Sequence, residues 1–189
     1  LANNLTGPAA TAQFRQAYDD LSVGITSSFN ALPNSDYLVG ALSYECFRCL
    51  IDNDATGGAK AGAALATIAN EAYANMAARH SSDWRNVNSL LMHYQFMAYA
   101  YDFDYNFMTS EEQAAVRRAL ALATSDQWSI GMDALPAMMA NCSNWINNNA
   151  LYLLLNALAI EGETGYDTNC LPRLEACYDR FFTIGCFAD

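Results

Sequence analysis

Four side chains that could hold a ligand are clustered near position 145. Asn144, Trp145, Asn147 and Asn148 lie within five consecutive positions, directly before an apolar run that begins at Ala150. If this segment is a helix, its first turns bring the three amides onto neighbouring positions. Because a helix N-terminus favours negative charge and buried amides need partners, the pattern predicts a pocket for a polar or anionic ligand. A capping network without a ligand is the structural alternative.

Other side chains in the segment before these amides could also contact a ligand. We include His93 and Tyr101 among the predicted substrate-binding residues, with a structural histidine and aromatic core packing as the respective alternatives. Asp102 and Asp104 are close enough in sequence to suggest the paired carboxylates of a glycoside hydrolase. Their position near a predicted helix end favours ordinary loop residues instead.

The cysteines indicate an oxidising compartment. The chain has six, an even number, and begins at Leu1, which fits a secreted protein whose leader has been removed. We therefore expect at least one disulfide, within the C-terminal group Cys142, Cys170, Cys177 and Cys186, with buried free thiols that pack as small hydrophobic side chains as the alternative. Cys46-Phe-Arg-Cys49 has metal-site spacing, but no second Cys or His pair is near it, so neither a metal nor a cofactor is predicted.

Composition excludes several classes of protein. With 189 residues, 53% of them hydrophobic and 15% charged, the chain can bury a sizeable core. A net charge of −11 leaves no basic surface for a nucleic-acid backbone. No uninterrupted apolar run reaches the roughly 18 residues of a membrane helix. We therefore predict neither a nucleic-acid nor a membrane partner.

Hydrophobic periodicity predicts one all-α domain over residues 1–189, made of antiparallel helical pairs. The predicted helices cover about residues 8–29, 37–51, 60–79, 84–105, 110–124, 144–160 and 167–182. Residues 52–58, which include Gly57 and Gly58, are predicted to break the chain. Thr109 with Glu112 has the spacing of a capping box. The last Leu-rich helix is apolar on all sides, so we expect other helices to enclose it.

Four motifs in the second half of the chain occur in a characteristic order. Tyr99-Ala-Tyr-Asp102 precedes Met108-Thr-Ser-Glu-Glu-Gln-Ala-Ala-Val-Arg117. Ser143-Asn-Trp145 then continues through the asparagines to Ala157-Leu-Ala-Ile-Glu-Gly-Glu163, and Cys186-Phe-Ala-Asp189 follows. Over residues 84–189 this order resembles the heparinase II/III and alginate lyase group of polysaccharide lyases. The resemblance implies part of an (α/α) toroid, whose inner helices offer their ends to a sugar cleft.

The resemblance also implies a chemistry, the β-elimination of a uronic-acid polymer. Asn144 would help to neutralise the sugar carboxylate, with Asn147 or Asn148 beside it, and Trp145 would be a sugar platform or a packing residue. In the resembling enzymes a tyrosine and a histidine transfer the protons. That tyrosine lies beyond the loop that Cys186 opens, and the histidine lies in a C-terminal β-rich domain.

Two functions therefore remain open from the sequence. The first is the helical portion of a secreted polysaccharide lyase that acts on a uronate-containing glycan, with either a homo-oligomer or a further β-rich domain as additional partner. The second is a non-catalytic extracellular all-α assembly or binding protein.

Overall fold

The described part of the chain contains helices and turns. The computed structural model describes residues 16, 19–21, 23–24, 38–78, 96–124, 144–180 and 182–183, and at 38, 78, 144–150 and 180 it describes the backbone alone. The helices are α1 Leu38–Asp52, α2 Ala55–Ala78, α3 Met97–Asp104, α4 Ser110–Thr124, α5 Asn144–Ala159 and α6 Cys170–Arg180, with a 3-10 helix at Tyr105–Phe107. No residue within these ranges belongs to a β-strand. The predicted all-α class is confirmed.

Helix α1 begins and ends close to its predicted limits. Val39, Leu42, Cys46 and Cys49 follow one face at helical spacing and are at most 2% exposed. The helix ends at Asp52, and Asn53 then adopts a left-handed backbone with φ 53°, a conformation that asparagine tolerates. A turn of only two residues therefore links α1 to α2.

The prediction that residues 52–58 interrupt the helical structure was wrong beyond Asp54. Helix α2 begins at Ala55 and includes both glycines. Asp54 caps it, because its Oδ1 accepts a hydrogen bond of 2.9 Å from the Gly57 amide. The glycines are required by close packing, since a Cβ at Gly58 would lie 2.5 Å from Cγ of Phe107. The absence of a side chain at these positions lets the helix pack closely against its neighbour. The low helix propensity of glycine does not prevent these residues from being helical.

The connection from α3 to α4 follows the predicted capping box. The Thr109 amide donates to Oε2 of Glu112 at 2.7 Å, and the Glu112 amide donates to Oγ1 of Thr109 at 3.3 Å. The Gln113 side chain also donates to the carbonyl of Tyr105, at 2.8 Å. These bonds fix the start of α4 against the 3-10 helix.

The described helices pack as two rows. Helices α1, α3 and α5 contact one another in chain order, and α2 contacts α4. Consecutive helices also pack together, as in the pairs α1 with α2, α3 with α4 and α5 with α6. The largest fully buried apolar side chains are Tyr101, Leu42, Leu65, Met97, Leu120, Ile160 and Leu174. The core therefore lies between the rows and includes side chains from all six helices.

Helix α5 is not enclosed on all sides, so that prediction was wrong. Leu153, Ala157 and Ile160 are buried, whereas Leu151 is 42% and Leu158 is 49% exposed. The helix has two apolar stripes, and periodicity could not tell which of them packs. The stripe that includes the small Ala157 is the one that lies in the core.

The described cysteines do not form the predicted disulfides. Cys46, Cys49, Cys170 and Cys177 are buried and none is joined in a disulfide. Cys170 and Cys177 both lie in α6, seven positions apart, so a helix separates their Cα atoms by about 10 Å, too far for a bridge. Cys142 and Cys186 lie outside the described residues.

Candidate functional site

The predicted amide cluster lies at the first turns of α5. The backbone of α5 begins at Asn144, so Trp145, Asn147 and Asn148 occupy its first two turns. Their side chains lie outside the description, as does all of His93. The first turns of a helix offer amide N–H groups without intrahelical partners, which suits an anionic group. The assignment of these residues to a sugar site stays a prediction.

Tyr101 lies in a polar cluster at the other end of α5. Its hydroxyl donates to Oε1 and Oε2 of Glu163, at 3.2 and 3.0 Å. Arg117 Nη1 from α4 forms an ion pair with Glu163 Oε2 at 2.8 Å. Tyr101 is 1% exposed, whereas the side chains of Arg117 and Glu163 are each 23% exposed. The cluster thus reaches from the core to the surface.

The local backbone holds Glu163 in this position. Gly162 and Gly165 have φ values of 80° and 93°, which glycine adopts without steric cost. They turn the chain immediately after α5, and a Cβ at Gly165 would lie 3.6 Å from Cβ of Ala121. Sequence reasoning missed Glu163 as a partner of Tyr101. The two flanking glycines are the signal that could have indicated an ordered turn there.

The cluster changes the ionisation of its members. Burial, and then the hydrogen bond to Glu163, raise the pKa of Tyr101 above its usual value. The hydrogen bond to Glu163 also raises the pKa of Arg117. Tyr101 is therefore a neutral hydrogen-bond donor and Arg117 a cation at physiological pH.

Tyr101 and Asn144 do not meet at one sugar ring. The 16 residues of α5 lie between Asn144 and the turn that holds Glu163, a length of about 24 Å at 1.5 Å per residue. Only an extended polymer could contact both ends. The role of Tyr101 as a substrate contact stays a prediction, and the structure describes it as a core residue whose hydroxyl is bonded to Glu163.

A second polar cluster joins α1 to α2 through Arg48. Its guanidinium donates to Glu45 at 2.8 and 3.2 Å, to Asp52 at 3.0 Å and to Asp54 at 2.8 Å. Arg48 also donates to Sγ of Cys49 at 3.1 Å. The hydrogen bond to Glu45 raises the pKa of Arg48, and the Gly57 amide, followed by Arg48, lowers the pKa of Asp54. This cluster anchors the short turn between the two helices.

The same region contains the Cys46-Phe-Arg-Cys49 motif. Burial raises the pKa of Cys49 to about 12 and also raises that of Cys46, so both are neutral thiols at physiological pH. Within the described ranges, no three His, Cys, Asp or Glu side chains are grouped so that they could hold a metal ion.

The two aspartates considered as a hydrolase pair differ in their surroundings. Both lie within α3, where Asp104 is the last residue. Asp102 is exposed, while Asp104 is 0% exposed. Burial, and then the nearby Glu112, raise the pKa of Asp104 to about 7. Because Asp104 is sealed from solvent and Asp102 is not, they do not form a pair across an open cleft.

An open depression lies at a different place in the structure. Its volume is about 500 Å³, and it is lined mainly by apolar groups from Asp20, Leu21, Gly24, Gly40, Ala41, Tyr44 and Phe96. None of the residues predicted to bind substrate is among these.

Comparisons with known proteins found no relative of this chain. No protein-family model matches the chain, and neither a curated protein nor a solved structure is detectably similar to it. In addition, no helix in the described residues is long and apolar enough to cross a membrane.

Proposed function

We propose that the chain is the helical portion of a secreted polysaccharide lyase, which cleaves a uronate-containing glycan by β-elimination. Asn144, at the start of α5, is the proposed group that neutralises the sugar carboxylate. Neutralisation acidifies the adjacent C–H, so that a base can remove the proton while an acid protonates the leaving oxygen. Trp145 is the proposed sugar platform, and Asn147 and Asn148 supply further hydrogen bonds.

The observation that carries this proposal is the meeting of three motifs in one cluster. Tyr101 belongs to the Ala-Tyr-Asp motif, Arg117 ends the motif that begins with the capping box, and Glu163 ends the motif that begins with Ser143-Asn-Trp145. Their side chains are joined by hydrogen bonds of 2.8 to 3.2 Å. Motifs that resembled a family only by their order along the chain are thus in contact, which supports a common structural unit.

The packing of the helices supports a toroid-like arrangement. In an (α/α) toroid, successive helical pairs place alternate helices in an inner and an outer ring. The contacts of α1 with α3, α3 with α5, and α2 with α4 follow this alternation over the described helices. We propose that α1, α3 and α5 belong to one ring and α2 and α4 to the other.

The test of this function is the substitution Asn144→Ala in the full natural protein. We expect loss of the ultraviolet-absorbing unsaturated uronide that β-elimination produces, with the helical circular dichroism unchanged. Removal of one preorganised group that stabilises transition-state charge typically lowers kcat by about 100- to 1,000-fold. Asn169→Ala, at an exposed amide before α6, is the matched control and should keep its activity. Undiminished product formation by Asn144→Ala would refute the assignment.

A non-catalytic extracellular assembly or binding protein is the second candidate. It is favoured by the way in which the polar clusters of the described residues bond internally: Arg48 to three carboxylates, and Tyr101 and Arg117 to Glu163. Such clusters support structure without any substrate. If the natural protein binds uronate glycans without releasing unsaturated product, this second function is the correct one.

A further inference from the structure

The carboxyl group of Asp104 is enclosed where α2, α3 and α4 meet. Asp104 is 0% exposed, and neither of its carboxyl oxygens has a hydrogen-bond partner. A Cβ at Gly62 in α2 would lie 2.8 Å from Oδ2 of Asp104 and 2.8 Å from Cγ of Met108. The absence of a side chain at position 62 is therefore what lets α2 approach this carboxyl group.

The surroundings of Asp104 oppose a negative charge. Glu112 of α4 and the thiols of Cys46 and Cys49 in α1 interact electrostatically with this carboxyl group. The other charged or titratable residues nearby in sequence on the packed elements are Glu45, Arg48, Lys60, Asp102, Tyr105 and Glu111. Helix α5, which also contacts α3, has no charged side chain. Arg48 is bonded to Glu45, Asp52 and Asp54, and Lys60 is exposed.

A further effect acts in the same direction. Asp104 ends α3, and the C-terminus of a helix carries partial negative charge, which disfavours a carboxylate. Desolvation and repulsion by Glu112 together keep the pKa of Asp104 near 7 in the fold. The neutral acid is therefore the form that this packing accommodates.

We propose that the protonation state of Asp104 controls how tightly α2, α3 and α4 pack. The three helices pack closely around the neutral carboxyl group, and their packing loosens when the group ionises. In the unfolded chain this carboxyl loses its proton near its ordinary pKa of 3.8, and in the fold near 7. Between these two values the folded protein holds a proton that the unfolded chain has released. Stability therefore falls as pH rises through this window and levels off above it.

The experiment compares urea unfolding of the wild type, Asp104→Asn and Asp102→Asn at pH values between the two pKa values and above them. The separation of the pKa values corresponds to a decrease of about a thousandfold in the folding equilibrium constant across the window. We expect this decrease in the wild type and in Asp102→Asn, the exposed control on the same helix. Asp104→Asn, which cannot ionise, should lack this component. The difference between variants removes the contribution of all other titratable groups, the two histidines of the chain included.

A direct titration keeps the proposal testable if Asp104→Asn does not fold. The side-chain carboxyl carbon of Asp104, followed by 13C NMR in the wild type, should titrate near pH 7. Glu112→Gln, which keeps a side chain able to serve in the capping box, should lower that midpoint because a like charge is removed. A midpoint at the ordinary value of about 4 for an aspartate would overturn the proposal. So would the same pH slope in the wild type and in Asp104→Asn.

Discussion

The position of Glu163 explains how one tyrosine in the core can keep a polar hydroxyl. Tyr101 is almost fully buried, and its hydroxyl would lose its hydration without a partner. Glu163 supplies that partner and is itself balanced by Arg117. The Tyr101 hydroxyl and the Glu163 carboxylate therefore both have partners, although the two residues are distant from each other in the sequence.

At the residue scale, we expect Tyr101→Phe to destabilise the fold. The substitution removes a hydrogen bond to a charged group, an interaction that contributes about 1.5–3 kcal/mol, while Glu163 retains Arg117. Urea unfolding should show a decrease in the free energy of unfolding of this order. Tyr105→Phe is the matched control, because its ring is 37% exposed and packs edge-on against Tyr101. An equal loss in both variants would contradict the role of the Glu163 bond.

Single residues were the hardest feature to predict from the sequence. The amides near position 145 were conspicuous because they adjoin an apolar run, and the capping residues Thr109 and Glu112 follow a known local spacing. By contrast, the surroundings of Glu163 and Asp104 depend on contacts between segments that are distant in sequence. The local sequence pattern does not indicate which distant residues will be partners, so the surroundings of Glu163 and Asp104 could be described only from the fold.

At the element scale, the glycines of α2 act through close helix contact. Substitution Gly58→Ala should gain up to about 1 kcal/mol in helix propensity. It would also place a Cβ 2.5 Å from Cγ of Phe107, and overpacking of this kind typically costs about 1–3 kcal/mol. We therefore expect net destabilisation, measured as a lower urea midpoint.

Gly40 in α1 is the matched control for this prediction. A Cβ there would lie 3.6 Å from the Phe96 ring, an ordinary van der Waals distance. Gly40→Ala should therefore be neutral or stabilise by up to about 1 kcal/mol. Stabilisation by both substitutions would show that Phe107 moves away easily and that the contact is loose.

The ends of the helices were largely predictable from the sequence. The exception is the start of α2, where glycines that resemble helix breakers serve close helix contact. The predicted ends of α1 and α4 agree with Leu38–Asp52 and Ser110–Thr124. The start of α2 was predicted five residues too late, at Lys60, because Gly57 and Gly58 were interpreted as breakers. For α5, the choice of the buried stripe depends on which neighbours it meets, and periodicity alone does not contain that choice.

At the scale of the whole molecule, the buried cysteines should resist alkylation until the protein unfolds. Cys46, Cys49 and Cys170 are at most 1% exposed, and none is in a disulfide. Burial also raises the pKa of Cys170 to about 11, so that little thiolate is present at neutral pH. Treatment with iodoacetamide should leave these three unmodified in the native protein.

The measurement is peptide mass spectrometry after alkylation with and without denaturant, in the absence of a reductant. All three residues should be modified once the protein is denatured. If any of them requires a reductant first, it forms a disulfide in the natural protein and the description of that residue as a thiol is wrong.

The turn between α1 and α2 has a consequence for how the chain folds. Asn53 and Asp54 alone separate the two helices, so bringing them together costs little loop-closure entropy. Arg48 then links Asp52, the last residue of α1, to Asp54, which caps α2, through contacts at most six positions apart. Contacts so local in sequence form faster than those between distant segments. We therefore expect this pair to be an early nucleus, on which the later helices of the two rows assemble in turn.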